Sequence, residues 1–555
     1  MEVNNNLTYY STMRERLINM PITMDTYGEC SLAILLFNEK NWTSAEAHLR
    51  RVARWFEFPH PTKPSRDLQG EPDFVAHRLI RVLYLLEQKL QQETKDAIFD
   101  FFTRWNFESK YKSENHMLLF HVSRYLFALK YPNCVFHQYQ KTSKTIIEEE
   151  REILHEFLYF RVRRGWAEFD SLGYGAVCFH ALLNLIDFAD KDMSNYARMV
   201  ADVQLLDMIA DCSKEGLYGG AHGRVYEAHV KNYLDCPMYG IFQYYFGTQI
   251  AAYNSVEVLS TKYVPSNYVY KALSSRPDHW ENYECKHLHS ITFETPHKRV
   301  SQVPGNINKY TYVTKEYVIG AVNWQDAYPQ GSAASWYAHH QQHEWDLSLC
   351  ESTSMRVFTH HPGHFGPEGK EHGYWTGDLG CCCVQTYCHK NLVMAVYDIP
   401  VGEEQFIHTY IPLKELNAVT DGCYLWFQNL DVYGVLWCSN GFAEGSEQYK
   451  DVELISYGKK HGVVCYVALT QDYDDFDAFK AVVKSNPPNF IESTCTLSFR
   501  NMKMNRNERY YENKREEFPY PTYKSPIMNS AYGSGIIEVG NTILDFAGWG
   551  NIKEK

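Results

Sequence analysis

Four groups of polar, chemistry-capable residues interrupt the apolar patterns of this chain: Asn115-His116, Tyr174, the stretch His222-Gly223-Arg224-Val225-Tyr226, and seven histidines between His339 and His372. An amide beside an imidazole can donate to a carboxylate, a phenol can pass a proton, and an arginine fork adds fixed positive charge. Such a set suits proton transfer next to an anionic group and points to an enzyme acting on a large or polyanionic substrate. His343, His361 and His389 each fall where a strand or its end is expected, so they could converge on a metal ion. Surface histidines in a loop account for the same run.

Each group also has a structural explanation. In Ser113-Glu-Asn-His-Met-Leu-Leu-Phe120, the Asn-His pair opens a helical pattern, so capping competes with ligand contact. Tyr174 is one of 42 tyrosines, and its flanking Gly173 and Gly175 permit either a close approach of another chain segment or a turn. Gly219-Gly-Ala-His-Gly-Arg-Val-Tyr226 reads as an irregular, exposed polar surface before a helix, suited to ligand contact. It lacks the Lys-Ser/Thr of a phosphate-binding loop, which argues against a nucleotide.

The elements that must position these residues change character once along the chain. Val75, Leu79, Leu83 and Leu86 repeat at helical spacing, as do the sets beginning at Leu118, Phe179 and Tyr196, and roughly ten helices fit between residues 8 and 260. From about residue 290 alternating or β-rich runs take over, among them Lys309–Val313, Tyr317–Val322, Gly422–Phe427 and Val463–Leu469. The expected fold is therefore α+β and multidomain. An N-terminal (α/α) toroid occupies residues 1–265, a turn-rich linker 266–288, and a C-terminal antiparallel β-sandwich 289–555. A site at the seam would draw on both halves.

Composition narrows the function. A formal charge of -13 disfavours a nucleic-acid partner. Arg161, Arg163 and Arg164 could still form a local positive cleft for an anionic sugar. Fifteen cysteines without regular spacing are expected to be reduced and mostly buried. The polar opening residues and the lack of a long apolar run set the expectation of a cytoplasmic protein without a membrane partner. A homo-oligomer is compatible with the sequence.

The order of helical half, linker and antiparallel half, with Asn115-His116 and a tyrosine 58 positions after His116, resembles polysaccharide lyases of the heparinase II/III and alginate lyase type. The segments Gln342–Leu349, Arg356–Gly363 and His389–Asn391 are similar to that group's sheet-domain signature. The resemblance implies β-elimination at a uronic acid. By the resemblance, Asn115 and His116 would neutralise the substrate carboxylate and Tyr174 would be the proton-transfer group; the Gly219–Tyr226 motif has no counterpart in the family, and on chemical grounds alone Arg224 would add fixed positive charge there and His222 or Tyr226 would be an alternative acid. The resemblance further implies that His343, His361 and His389 hold a structural zinc, with no organic cofactor. Two positions differ from the family: Gln341 stands in place of a catalytic histidine and His361 in place of an aspartate.

Two other readings compete. A glycoside hydrolase on a helical toroid would need two facing carboxyl groups, and Glu114, Glu168, Asp170 and Glu227 lie beside the motifs. A carbohydrate-binding protein would bind glycans without turning them over. For the lyase, exolytic trimming of anionic oligosaccharides is the expected mode.

Overall fold

The computed structural model describes residues 7–21, 27–54, 71–109, 113–223, 226–247, 249, 251, 255–287, 293–295, 298–299, 306–324, 343–363, 374–375, 383–505, 508–511 and 514–555. Its first half is helical: α1 (Leu7–Asn19), α2 (Glu29–Phe37), α3 (Trp42–Ala53), α4 (Pro72–Leu86), α5 (Gln92–Arg104), α6 (Glu114–Lys130) and α7 (Ser143–Arg164). There follow α8 (Tyr174–Phe188), α9 (Lys191–Asp211), α10 (Glu227–Lys231), α11 (Pro237–Tyr245), α12 (Val256–Ser260) and α13 (Asn267–Ser274). A two-stranded hairpin, Val135–Phe136 with Lys141–Thr142, interrupts them before α7.

The apolar periods seen in the sequence lie in α4, α6, α8 and α9. In α6 and α9 burial extends around nearly the whole circumference, which makes them inner helices. Side-chain caps define their neighbours' starts: Thr142 accepts from the Thr145 amide before α7, and Asp190 accepts from the Met193 amide before α9. α6 packs on α4, α7 and α8, α8 packs on α9, and α12 returns to α1, α2 and α8. No helix among the described residues is long and apolar enough to cross a membrane.

The second half is built on antiparallel ladders. In the larger sheet the central strands run in the order Glu453–Tyr457, Phe406–Tyr410, Arg356–His360, Trp345–Leu349, Tyr317–Trp324, Asn306–Val313, Trp280–His287 and Tyr523–Lys524. A smaller sheet pairs Val384–His389, Leu392–Asp398, Lys460–Leu469, Val432–Cys438 and Tyr424–Gln428. Alternation explains how they share a core: Ile319, Leu347, Val357 and Ile407 of the first sheet meet Val393, Leu425, Leu436 and Cys465 of the second in one apolar cluster. The smaller sheet's other face is covered by the helix Phe476–Ser485 and the strands around Leu497 and Met504. All thirteen described cysteines are free.

One expectation changes here. Residues 266–288, read as a turn-rich linker, hold α13 and the strand Trp280–His287, so the passage from helix to strand takes only the few residues after Ser274. Serines and prolines mark the ends of these elements: Ser266 precedes α13, and Pro277 separates the helix from the strand.

The two halves are joined by apolar packing and by buried charge. Phe358, Tyr410, Tyr523, Leu544 and Phe546 from the strand half belong to the same apolar cluster as the helices. Beside it, the Lys309 ammonium lies 2.6 Å from Asp170 and 2.5 Å from Asp211, and that of Lys286 lies 2.6 Å from Asp207 and 3.0 Å from Glu284. Asp207 and Asp211 come from one face of α9 at helical spacing, whereas Glu284, Lys286 and Lys309 come from neighbouring strands. All six side chains are at most 7% exposed. Four carboxylates thus face two ammoniums, and the acid excess shows in their protonation. Burial, helped by Asp211 and Glu284, pushes the Asp170 carboxyl up to about 6 against the pull of Lys309.

Two outcomes follow from this cluster. Replacing Lys309 by Met should lower the unfolding free energy by ~3–5 kcal/mol, because carboxylates are left buried without their cation; urea unfolding checks it, and a loss under ~1 kcal/mol would contradict it. The second concerns pH. With its folded-state value raised from 3.8 to about 6, Asp170 contributes stability that is complete below the lower value and lost as pH rises through the upper one. Relative to Asp170→Asn, the parent should therefore lose stability as the pH is raised from ~4 to ~7, measured by urea unfolding at each pH. A difference independent of pH would remove the basis for this assignment.

Candidate functional site

The loop after α7 is fixed by a single carboxylate. Glu114, the first residue of α6, accepts from Arg161 at 2.5 Å and from the backbone amides of Ala167 and Glu168 at 3.0 and 3.1 Å. That anchoring brings Glu168 to Asn115, whose side-chain amide donates to Glu168 at 2.9 Å and to Ser113 at 3.0 Å. The capping explanation for Asn115 does not hold: Ser113 occupies the cap position, and the Asn115 carbonyl oxygen is buried without a partner. His116, one residue on, bonds Asp73 at 2.6 Å and lies edge-on to Phe74. Burial works against charge on His116, but the Asp73 hydrogen bond and charge outweigh it, so the pair binds its shared proton more tightly than a free imidazole does.

Tyr174 begins α8, with its backbone amide donating to the Ser171 hydroxyl at 3.0 Å. The flanking glycines serve close approach: a Cβ at Gly173 would sit 2.8 Å from the His229 ring, and one at Gly175 3.3 Å from Met238. Tyr174 is half-buried, and its hydroxyl meets that of Tyr226 in a short hydrogen bond. Tyr226 in turn packs edge-on against His229. One cavity is lined by Tyr174 and another by its neighbour Gly173. The first, a small one of about 30 Å³, is lined by Glu114, Glu168, Asp170, Ser171, Tyr174 and Gln204 among others. The second, of about 200 Å³, is lined by Tyr27, Phe74, His77, Arg78, Gly173 and His180 among others.

The stretch leading to Tyr226 is not the exposed surface its glycines suggested. His222 is fully buried, and its backbone pairs with His343 through reciprocal bonds of 2.8 and 2.9 Å. The glycines let the segment lie flat on the strand Tyr317–Trp324: a Cβ at Gly219 would fall 2.1 Å from the Val318 carbonyl oxygen, and Gly220 adopts a φ of +95°. The His222 imidazole lies 3.2 Å from the Arg356 guanidinium. Burial, reinforced by Arg356, keeps that imidazole well below its usual range and neutral. Arg224 lies outside the described residues, as do His339, His340, Gln341, His364 and His372.

The expected zinc ligands do not form a ligand set. His361 has both ring nitrogens committed to backbone, Nε2 to the Glu404 carbonyl at 2.8 Å and Nδ1 to the Gly363 amide at 3.0 Å. His389 packs on Tyr511 at 3.9 Å and Tyr310 at 6.2 Å between ring centres. His343 faces Asp346 at 3.2 Å. The neighbouring His360, at the end of Arg356–His360, is the one that joins a chain of polar side chains. It bonds His408 at 3.0 Å, and His408 bonds Glu453 at 3.1 Å. His360 and His361 are both buried, but His361 lies just past the strand and bonds backbone whereas His360 bonds a side chain. His408 and Glu453 carry no local motif, and only their pairing across adjacent strands brings them together.

Other side chains prominent in the sequence serve packing. Arg161 is buried against Glu114, Arg163 donates to the Gly533 carbonyl at 2.7 Å, and Arg164 stacks 4.1 Å above Tyr532, so these arginines line no positive cleft. Glu227 is engaged by Lys231, the Tyr374 amide and the Tyr449 hydroxyl.

The arrangement therefore offers paired phenols at the start of α8 and, linked to the same small cavity through Glu168, an amide adjacent in sequence to a proton-holding imidazole. No family model matches the chain. No curated protein matches it either. Among solved structures it is similar to the heparan sulfate lyase HepC from Pedobacter heparinus, at 10% identity and a TM-score of 0.38, covering 93% of this chain and 84% of that one.

Proposed function

We propose that the protein is a polysaccharide lyase that cleaves uronate-containing glycans by β-elimination, working from the ends of anionic oligosaccharides. The observation that supports it most is the direct hydroxyl contact between Tyr174, which lines the small cavity, and Tyr226. β-Elimination needs one proton removed from the carbon beside the carboxylate and one delivered to the leaving oxygen. Two phenols in contact can divide that work, because a proton can pass between them. The return of α12 to α1 and α2 supports a closed helical ring around this site.

Before the sugar carbon can lose its proton, the substrate carboxylate must be neutralised, since its charge opposes the developing enolate. The Asn115 side-chain amide and the Nε2–H of a His116 held protonated by Asp73 at Nδ1 would be the donors for this step, with Arg224 as a third. Glu168 accepts from Asn115 in the free enzyme, so the substrate carboxylate would take over that hydrogen bond. His222, buried and neutral, acts as a positioning group for the segment that carries Tyr226.

A second reading has a specific observation in its favour: Glu168 and Asp170 line the same small cavity as Tyr174, and Asp170 holds its proton up to about 6. An acid with a raised pKa beside an ionised carboxylate is the pattern of a glycoside hydrolase. Lys309 ties Asp170 into the buried charge cluster, which favours the lyase.

Tyr174→Phe removes one hydroxyl and should leave folding intact while lowering turnover of a uronate oligosaccharide ~10²–10⁴-fold. Ultraviolet absorbance of the new conjugated double bond measures it. Near-parental turnover by the variant would overturn the role of Tyr174. Products lacking that absorbance, with activity lost in Glu168→Gln, would favour the hydrolase.

A further inference from the structure

We propose that His77, His180 and Glu257 form a binding site for one divalent first-row transition ion of the zinc class, in the wall of the 200 Å³ cavity of the helical half. The site is separate from the histidines of the strand half and does not depend on the proposed reaction.

The three residues come from α4, α8 and α12, far apart in sequence, and one ligand atom from each lies within 4.8 Å of the others. His77 Nε2 is 2.8 Å from Glu257 Oε1, and His180 Nδ1 is 4.0 Å from Glu257 Oε2. Bond lengths of ~2.0–2.2 Å to zinc place tetrahedral ligands ~3.3–3.5 Å apart. Changes in separation of at most about 1.5 Å would bring these atoms to that spacing.

Two features go beyond proximity. First, Glu257 Oε2 is fully buried with no hydrogen-bond partner, an arrangement that is costly for a carboxylate unless a cation satisfies it. Second, the supporting contacts leave two of the three ligand atoms open, and the third, His77 Nε2, rests on Glu257 Oε1, from which it would turn to the ion. Ser255 holds His180 Nε2 at 2.7 Å, so Nδ1 faces Glu257, and Arg78 holds Glu257 Oε1 at 3.1 Å, leaving Oε2 open. His77 and His180 both line the cavity, which provides a route in and room for a further ligand.

Charge is favourable too. Around the site the guanidiniums of Arg78 and Arg81 face the carboxylates of Glu29, Asp187 and Glu257, one negative charge in excess. Arg78 and the His77 ring both bond the Glu257 carboxylate, at 3.1 and 2.8 Å. Two imidazoles and a carboxylate suit zinc or its neighbours in the first row and poorly suit magnesium, which favours an oxygen shell.

The test is equilibrium dialysis of chelator-treated full-length protein against Co²⁺, Zn²⁺ and Mg²⁺, with the cobalt absorption bands reporting coordination. The parent should bind one equivalent of Co²⁺ or Zn²⁺ at this site and should melt at a higher temperature in zinc. His180→Ala and Glu257→Gln should each lose that equivalent, weakening binding by more than the ~10–100-fold seen for outer-shell changes. His360→Ala, in the strand half, should keep it. Circular dichroism verifies folding. If Glu257→Gln does not fold because Arg78 loses its partner, His180→Ala decides alone. No bound cobalt or zinc in the parent, equal affinity for Mg²⁺, or loss of the equivalent in His360→Ala but not in His180→Ala would overturn the proposal.

Discussion

The ion cluster of Lys286 and Lys309 with Asp170, Asp207, Asp211 and Glu284 is the constraint on which the arrangement of the two halves depends. Apolar contact between helices and strands is tolerant of sliding, whereas a buried ammonium must meet its carboxylates at hydrogen-bond distance. Lys309 reaches Asp170 in the loop before α8 as well as Asp211 at the end of α9. The same loop carries Glu168, bonded to Asn115, and runs on to Tyr174. A strand lysine thereby fixes the loop from which the candidate site is assembled.

From the helical side, Glu114 fixes that loop by accepting one guanidinium and two backbone amides. From the strand side, the segment 219–223 is fixed by backbone pairing of His222 with His343 and by bonds from the Gly220 amide to Asp346. Gly223 closes the gap, its amide donating to the Phe169 carbonyl at 2.6 Å. Tyr174 and Tyr226 follow these two anchored segments by a few residues each. Their hydroxyl contact is therefore a consequence of backbone placement on both sides, the condition under which a reactive pair is held ready before substrate arrives.

Much of the fold was legible because its signals are periodic. The repeats in α4, α6, α8 and α9 and the alternation in Tyr317–Trp324 and Lys460–Leu469 need no tertiary information. Tyr174 and Tyr226 could be singled out from neighbouring glycines. What could not be read was how those glycines are used. In Gly219-Gly220 they allow burial against a strand, although the same composition suits an exposed loop. The choice between His360 and His361 depends on where the strand Arg356–His360 ends. His408, Glu453 and the His77–His180–Glu257 group have no local motif, since their members are brought together only by packing between distant elements.

The central claim is that the site breaks a glycosidic bond by elimination rather than by adding water. Running the reaction on a uronate oligosaccharide in water enriched in heavy oxygen, with mass spectrometry of both product ends, tests it most directly. With products reduced by borohydride as they form, to stop oxygen exchange at new reducing ends, elimination predicts no heavy oxygen in either product and an unsaturated end whose mass is one water lower than that of the hydrolytic fragment. One heavy oxygen incorporated per bond cleaved, with both ends saturated, would contradict the account and transfer the chemistry to Glu168 and Asp170.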